Sequence, residues 1–127
     1  MIGGLDHIAI KVSDGERAAA FYREVLGAAV DELPYGRLRF RVGDVALHVH
    51  TPSSTPHPLP RTVPGPGTAD VCFRWDGTPE EAAEHLRSRG VEPVLVDAPR
   101  TGLGGDGRSV YFHDPDGSLL ELISYAP

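Results

Sequence analysis

Apolar and polar residues alternate along residues 5–12 (LDHIAIKV), the period of a half-buried strand. Ser13 or Asp14 can then cap a helix that carries Ala18, Phe21, Tyr22 and Val25 as one apolar stripe and stops at Gly27. Three short strands are expected over residues 28–33, 37–42 and 45–50, with turns at Pro34-Tyr35-Gly36 and Gly43-Asp44. Residues 51–67 (TPSSTPHPLPRTVPGPG) break the pattern. So much proline cannot build helix or sheet, and the stretch reads as an extended surface linker.

The same order of elements then returns. A strand is expected over 69–75, and a helix opens at Thr78-Pro79-Glu80-Glu81 and closes at Gly90. A strand over 91–96, a flexible glycine-rich loop over 101–107, a strand over 109–113, an Asp-Pro-Asp-Gly turn and a strand over 118–125 complete the chain. His7 and Asp70 stand 63 positions apart, and so do Gly27 and Gly90. One domain is therefore expected over residues 1–127. It is built from a strand–helix–three-strand module at 1–50, the linker at 51–67, and a second such module at 68–127.

Alternation also says which residues face away from the helices. Ile8, Ile10 and Val12 form the helix-facing set of the first strand, leaving His7, Ala9 and Lys11 opposite. By the same rule His48 and His50 share a face, Asp70, Cys72 and Arg74 share another, and Glu121 stands between Leu120 and Leu122. Four strands thus offer His7, His48, Asp70 and Glu121 on that side, and a sheet curled into a half-barrel would make them converge. A carboxylate in so apolar a strand as that of Glu121 costs several kcal/mol unless it is compensated. A divalent ion would compensate it. Two imidazoles and two carboxylates suit Fe, Mn, Co, Ni or Zn without a thiolate, leaving positions for two adjacent substrate oxygens. A register error of two would put His50 in the place of His48.

Other polar residues have plainer readings. Arg39 and Arg74 alternate onto the cleft side and are candidates to hold an anionic substrate. His57 lies in the linker, His85 on a helix, and His113 beside a turn, so none is placed at the site. Asp114 and Asp116 belong to a turn signal, and Cys72 reads as a small buried thiol. The glycine-rich stretch lacks the Gly-Lys-Ser/Thr ending of a phosphate-binding loop.

Composition narrows the partners. The 127 residues carry a net charge of −6, which argues against nucleic acid. No run reaches the roughly 18 apolar residues of a membrane helix. No basic and apolar leader is evident in MIGGLDHIAI, so a cytoplasmic location is expected. One cysteine excludes an intrachain disulfide and a multi-cysteine zinc site. Half-barrel modules expose apolar faces and strand edges, so a homodimer is expected, with modules paired within a chain or swapped between two.

The segments LDHIAIKVSD, AAFYREVLG, ALHVH and YFHDPDGSLLELISY resemble the vicinal oxygen chelate superfamily of glyoxalases, bleomycin- and fosfomycin-resistance proteins and extradiol dioxygenases. PGTADVCF and the stretch from APRTG to SVYFHDPDG are similar to its glyoxalase domain-containing protein 5 group. The resemblance covers nearly the whole chain, and HDPDGSLLEL is its most specific part. It implies an α+β fold in which two βαβββ modules form a cupped eight-stranded mixed sheet, helices outside, around a divalent metal. Carried over by position, His7, His48 and Glu121 match ligands. Asp70 stands where many relatives have histidine, and is either a fourth ligand or a nearby base or supporting group beside a His7, His48 and Glu121 triad. The implied activity is that of a metal-dependent lyase or isomerase, with Glu121 or Asp70 moving a proton on a small substrate that chelates through vicinal oxygens. An Fe(II) extradiol-type dioxygenase using His7, His48 and Glu121, and a metal-free drug- or metabolite-binding resistance protein, are the alternatives.

Overall fold

The computed structural model describes residues 1–54 and 56–127; Thr55, within the expected linker, lies outside the described residues. Two compact units emerge, Met1–Thr68 and Ala69–Pro127. Each holds one α-helix and one four-stranded mixed sheet, and together they give the expected α+β pair of βαβββ modules. No helix among the described residues is long and apolar enough to cross a membrane.

In the first unit β1 (Ile8–Lys11) leads into α1 (Gly15–Leu26), followed by β2 (Ala29–Glu32), β3 (Leu38–Val42) and β4 (Val45–His50). The helix starts where Asp14 accepts a hydrogen bond from the Arg17 amide, and it stops at Gly27, whose φ of 66° suits a residue without Cβ. The sheet order is β1-β4-β3-β2, with β1 parallel to β4 and the other pairs antiparallel. Ile10, Val12, Tyr22, Phe40, Leu47 and Val49 form the core, and the Tyr22 and Phe40 rings lie 4.8 Å apart between helix and sheet. Ala19 is buried where the sequence pattern put Phe21, which is only half-buried.

The second unit repeats this plan with β5 (Asp70–Arg74), α2 (Pro79–Ser88), β6 (Leu95–Gly102), β7 (Gly105–His113) and β8 (Leu119–Ser124), in the order β5-β8-β7-β6. Thr78 and Glu81 close a reciprocal capping box at the start of α2. Val71, Phe73, Leu86, Val110, Phe112 and Leu120 are buried between α2 and the sheet. Asp114 ties the turn before β8 by accepting from the amides of Asp116 and Ser118.

Three expectations change. The strand expected over 91–96 starts at Leu95 and runs on to Gly102, with a register shift between Leu95 and Ala98 and a positive φ at Asp97. The stretch expected as a flexible glycine-rich loop is strand on both sides of a Leu103-Gly104 turn, with Thr101 opposite Asp106 and Gly102 opposite Gly105. The head of the linker is not a plain surface strand either. Thr51 and Ser54 are buried, Thr51 Oγ donating to the Gly36 carbonyl and Ser54 Oγ to that of Thr51.

Candidate metal centre

His7 stands one residue ahead of β1, and His48 sits in the middle of β4. Parallel pairing sets Ala9 beside His48, so His7, two residues before Ala9, shares the face of His48. The two imidazoles stack with centroids 3.6 Å apart and planes 17° from parallel. Asp6 Oδ1 lies 2.7 Å from His7 Nδ1. In the neutral imidazole a carboxylate there favours the proton on Nδ1, so that Nε2 carries the lone pair a metal takes. Burial lowers the pKa of His48, and the positive charges of His7, Arg37 and Arg39 lower it further against the opposing pull of Asp6. His48 is therefore neutral at neutral pH. His50 lies on the same face but turns to Ser54, 3.3 Å from Nδ1, so His48 is the histidine that meets His7.

In the second unit Glu121 of β8 is flanked by Cys72 of β5 and Tyr111 of β7. Its Oε2 accepts a short hydrogen bond of 2.6 Å from Ser109 Oγ, and Ser109 is fully buried. Cys72 is exposed on the outward face of β5 rather than buried as expected; its thiol is nevertheless pushed up to about 12, first by partial desolvation and then by the Glu121 charge beside it. Such a thiol stays protonated and is a poor metal ligand. Asp70 opens β5 two residues before Cys72 and is exposed. Glu121 and Cys72 open into a hollow of about 540 Å³ closed by Tyr125 and the β6–β7 turn. Glycines let the hairpin lie this close. A Cβ on Gly102 would meet the Tyr125 hydroxyl and one on Gly104 the Tyr125 ring, while the Gly104 amide donates to Tyr125 Oη at 3.0 Å.

The structure thus assembles a histidine pair in one unit and a hydroxyl-bonded glutamate in the other. Among the described residues no three His, Cys, Asp or Glu side chains form a single cage. The donor types, neutral imidazole nitrogens and carboxylate oxygens, fit a borderline divalent ion and do not call for thiolate. Arg39 and Arg74, the arginines expected to hold an anion, are engaged: Arg39 Nε with Asp31 at 2.9 Å and Arg74 Nε with Asp76 at 3.2 Å. Sequence reasoning missed Asp6, Ser109 and Tyr111. Asp6 had a signal, since a carboxylate adjacent to a candidate ligand is a natural orienting partner. Ser109 and Tyr111 become neighbours of Glu121 only through the β7–β8 register.

The family model of the Glyoxalase/Bleomycin resistance protein/Dioxygenase superfamily matches residues 4–122, a span that holds His7, His48, Asp70 and Glu121. The chain belongs to that superfamily. Among members of the glyoxalase superfamily, it is 33% identical to the glyoxalase domain-containing protein RDO1 of Mycosarcoma maydis, over 98% of this chain and 69% of the relative. It is 30% identical to virulence protein STM3117 of Salmonella typhimurium, over 98% and 86%. The crystal structure of STM3117 superposes with a TM-score of 0.90 across 99% of each chain. Human mitochondrial methylmalonyl-CoA epimerase is 31% identical over 95% of this chain and 73% of its own.

Proposed function

We propose that this protein is a divalent-metal-dependent lyase or isomerase of the glyoxalase type, acting on a small substrate with two neighbouring oxygens. His7, His48 and Glu121 hold the ion, with Asp70 as a fourth ligand or as a base. The observation that carries this reading is the stacked His7–His48 pair with Asp6 behind His7. When bound, the ion supplies Lewis-acid stabilisation of negative charge on a substrate oxygen. Asp6 orients His7, burial keeps His48 neutral, and Ser109 holds one oxygen of Glu121. The second oxygen of Glu121, or Asp70, would take and return a proton at the carbon beside the substrate's two neighbouring oxygens. Likeness to an epimerase supports the isomerase side of the reading.

Metal analysis and thermal shift test this. The wild-type chain should bind Mn, Fe, Co, Ni or Zn and be stabilised by it, by about 2.7 kcal/mol at a hundredfold excess over Kd. His48→Ala should lose that stabilisation, and Glu121→Gln should weaken it. A wild-type protein that no divalent ion stabilises, or a Glu121→Gln variant that binds metal as well as wild type, overturns the proposal.

A further inference from the structure

Beyond the histidine pair, the same sheet face holds a second feature. Lys11 is the register partner of His50 across β1 and β4. Since Leu38 pairs with Val49, Arg37 just ahead of β3 reaches the level of His50 from the other side. Lys11 Nζ donates to the Thr51 carbonyl and Arg37 Nε to that of Pro34, both at 3.2 Å. Neither meets a carboxylate among the described residues, unlike Arg39 and Arg41, which share Asp31. Residues 51–67 bring no Asp or Glu to this corner. In a chain of net charge −6, Lys11 and Arg37 form a cationic corner in which neither is in an ion pair among the described residues, although Asp14, Glu16 and Glu32 line a hollow on another side of Arg37.

The proline-rich segment supplies an apolar wall beside it. A hollow of about 410 Å³ is lined by Ala9, Lys11, His50, Pro58, Leu59 and Val63 among others. A neighbouring hollow of about 570 Å³ takes in Tyr35, Arg37 and His57, and the two share His50 and Ser54. That size suits a small organic molecule, and the mix of apolar wall and a few polar groups is the usual make-up of a ligand pocket.

We propose that these two adjoining hollows together bind the substrate of the neighbouring site as a carboxylate or phosphoryl oxyanion on an apolar body. Lys11 and Arg37 take the oxyanion, and Pro58, Leu59 and Val63 cover the apolar part. Arg37, with donors to spare beyond its bond to Pro34, is the better of the two for a bidentate grip. The proposal rests on the metal-site reading for its word "substrate" only; the pocket itself lies within one unit and needs no bound ion.

The test uses the full ¹⁵N-labelled chain in the presence of chelator, titrated with benzoate, phenylphosphonate and, as neutral control, benzyl alcohol. At least one anionic probe should shift the amides of Lys11, His50, Ser54 and Leu59, and it should bind about tenfold or more tighter than the alcohol. Arg37→Gln and Lys11→Met should each weaken the anion about tenfold and leave the alcohol unchanged. Leu59→Ser should weaken all probes alike. Arg37 is at the surface and its variant keeps the fold, so the test stands even if Lys11→Met does not. Equal affinity for anion and alcohol, shifts confined to other residues, or indifference to Arg37→Gln overturns the proposal. Because chelator is present throughout, these outcomes are independent of metal content, and a metal-free wild-type protein would sink only the catalytic reading.

Discussion

At the middle of β4 His48 lies beside Ala9 of β1, and at the matching place in β8 Glu121 lies beside Cys72 of β5. The residue before each is a fully buried leucine, Leu47 in one and Leu120 in the other. One backbone plan, a parallel pair at one sheet edge and two antiparallel strands beyond it, thus presents a functional side chain from the same lattice point twice. The chemistry differs. The first unit offers a stacked imidazole pair, with burial and surrounding cations lowering the pKa of His48, while the second offers a carboxylate fastened by a buried hydroxyl. The fold decides where a donor goes, and the local neighbours decide which atom is presented and in which charge state.

The largest effects should come from the leucines behind these positions. Leu47→Ala and Leu120→Ala each remove a fully buried side chain and should each cost about 2–5 kcal/mol. Urea denaturation gives the size, and amide exchange shows where protection is lost: in the β1-β4-β3-β2 sheet for the first, in the β5-β8-β7-β6 sheet for the second. A cost near zero at either position would break the equivalence of the two units.

What was legible in the sequence follows the range of the forces involved. The caps at Asp14, Gly27 and Thr78-Pro79-Glu81 are local signals, and the helices begin and end at them. The alternation that puts Val71 and Phe73 inward and Asp70 and Cys72 outward is equally local, and the burial pattern repeats it. The stretch over 101–107 was misread because its order comes from Tyr125, some twenty positions away, whose ring occupies the space that side chains on Gly102 and Gly104 would need. Glycines that read as flexibility are there for close approach. The candidate site divides in the same way. The shared face of His7 and His48 follows from alternation plus pairing, whereas the Ser109 bond to Glu121 and the Asp31 bond to Arg39 depend on cross-strand register. Register is set by turns and by the whole sheet, and a single strand does not contain it.

Next in size are the groups that hold the candidate ligands in place. Asp6→Ala frees the His7 ring and Ser109→Ala frees Glu121 Oε2. If both residues bind the ion, each change should weaken metal affinity by about 10–100-fold, as loss of an orienting partner does. Isothermal titration with Mn or Zn reads both. A loss at Asp6 with none at Ser109 would leave the histidine pair as the metal-binding element and remove Glu121 from it, which sharpens the contrast between the units.

The smallest effects, and the most diagnostic of the two environments, concern pH. His48 and His50 have pKa values lowered by burial and by neighbouring cations. Below about 6.5 the unfolded chain takes up protons that these folded histidines refuse, so stability falls with acid until the lowered folded values are passed. Cys72 works in the opposite direction. Between 9.0 and about 12 the unfolded thiol ionises while the folded one does not, so stability falls as the pH rises through that window. With chelator present, urea midpoints across pH should show an acid limb that His48→Gln and His50→Gln flatten and an alkaline limb that Cys72→Ser removes. Glu121→Gln should bring the thiol down, because part of its elevation is the Glu121 charge, and alkylation of Cys72 at mildly alkaline pH should then run several-fold faster as thiolate accumulates. An unchanged alkylation rate would mean that the Glu121 charge does not contribute to holding the thiol up.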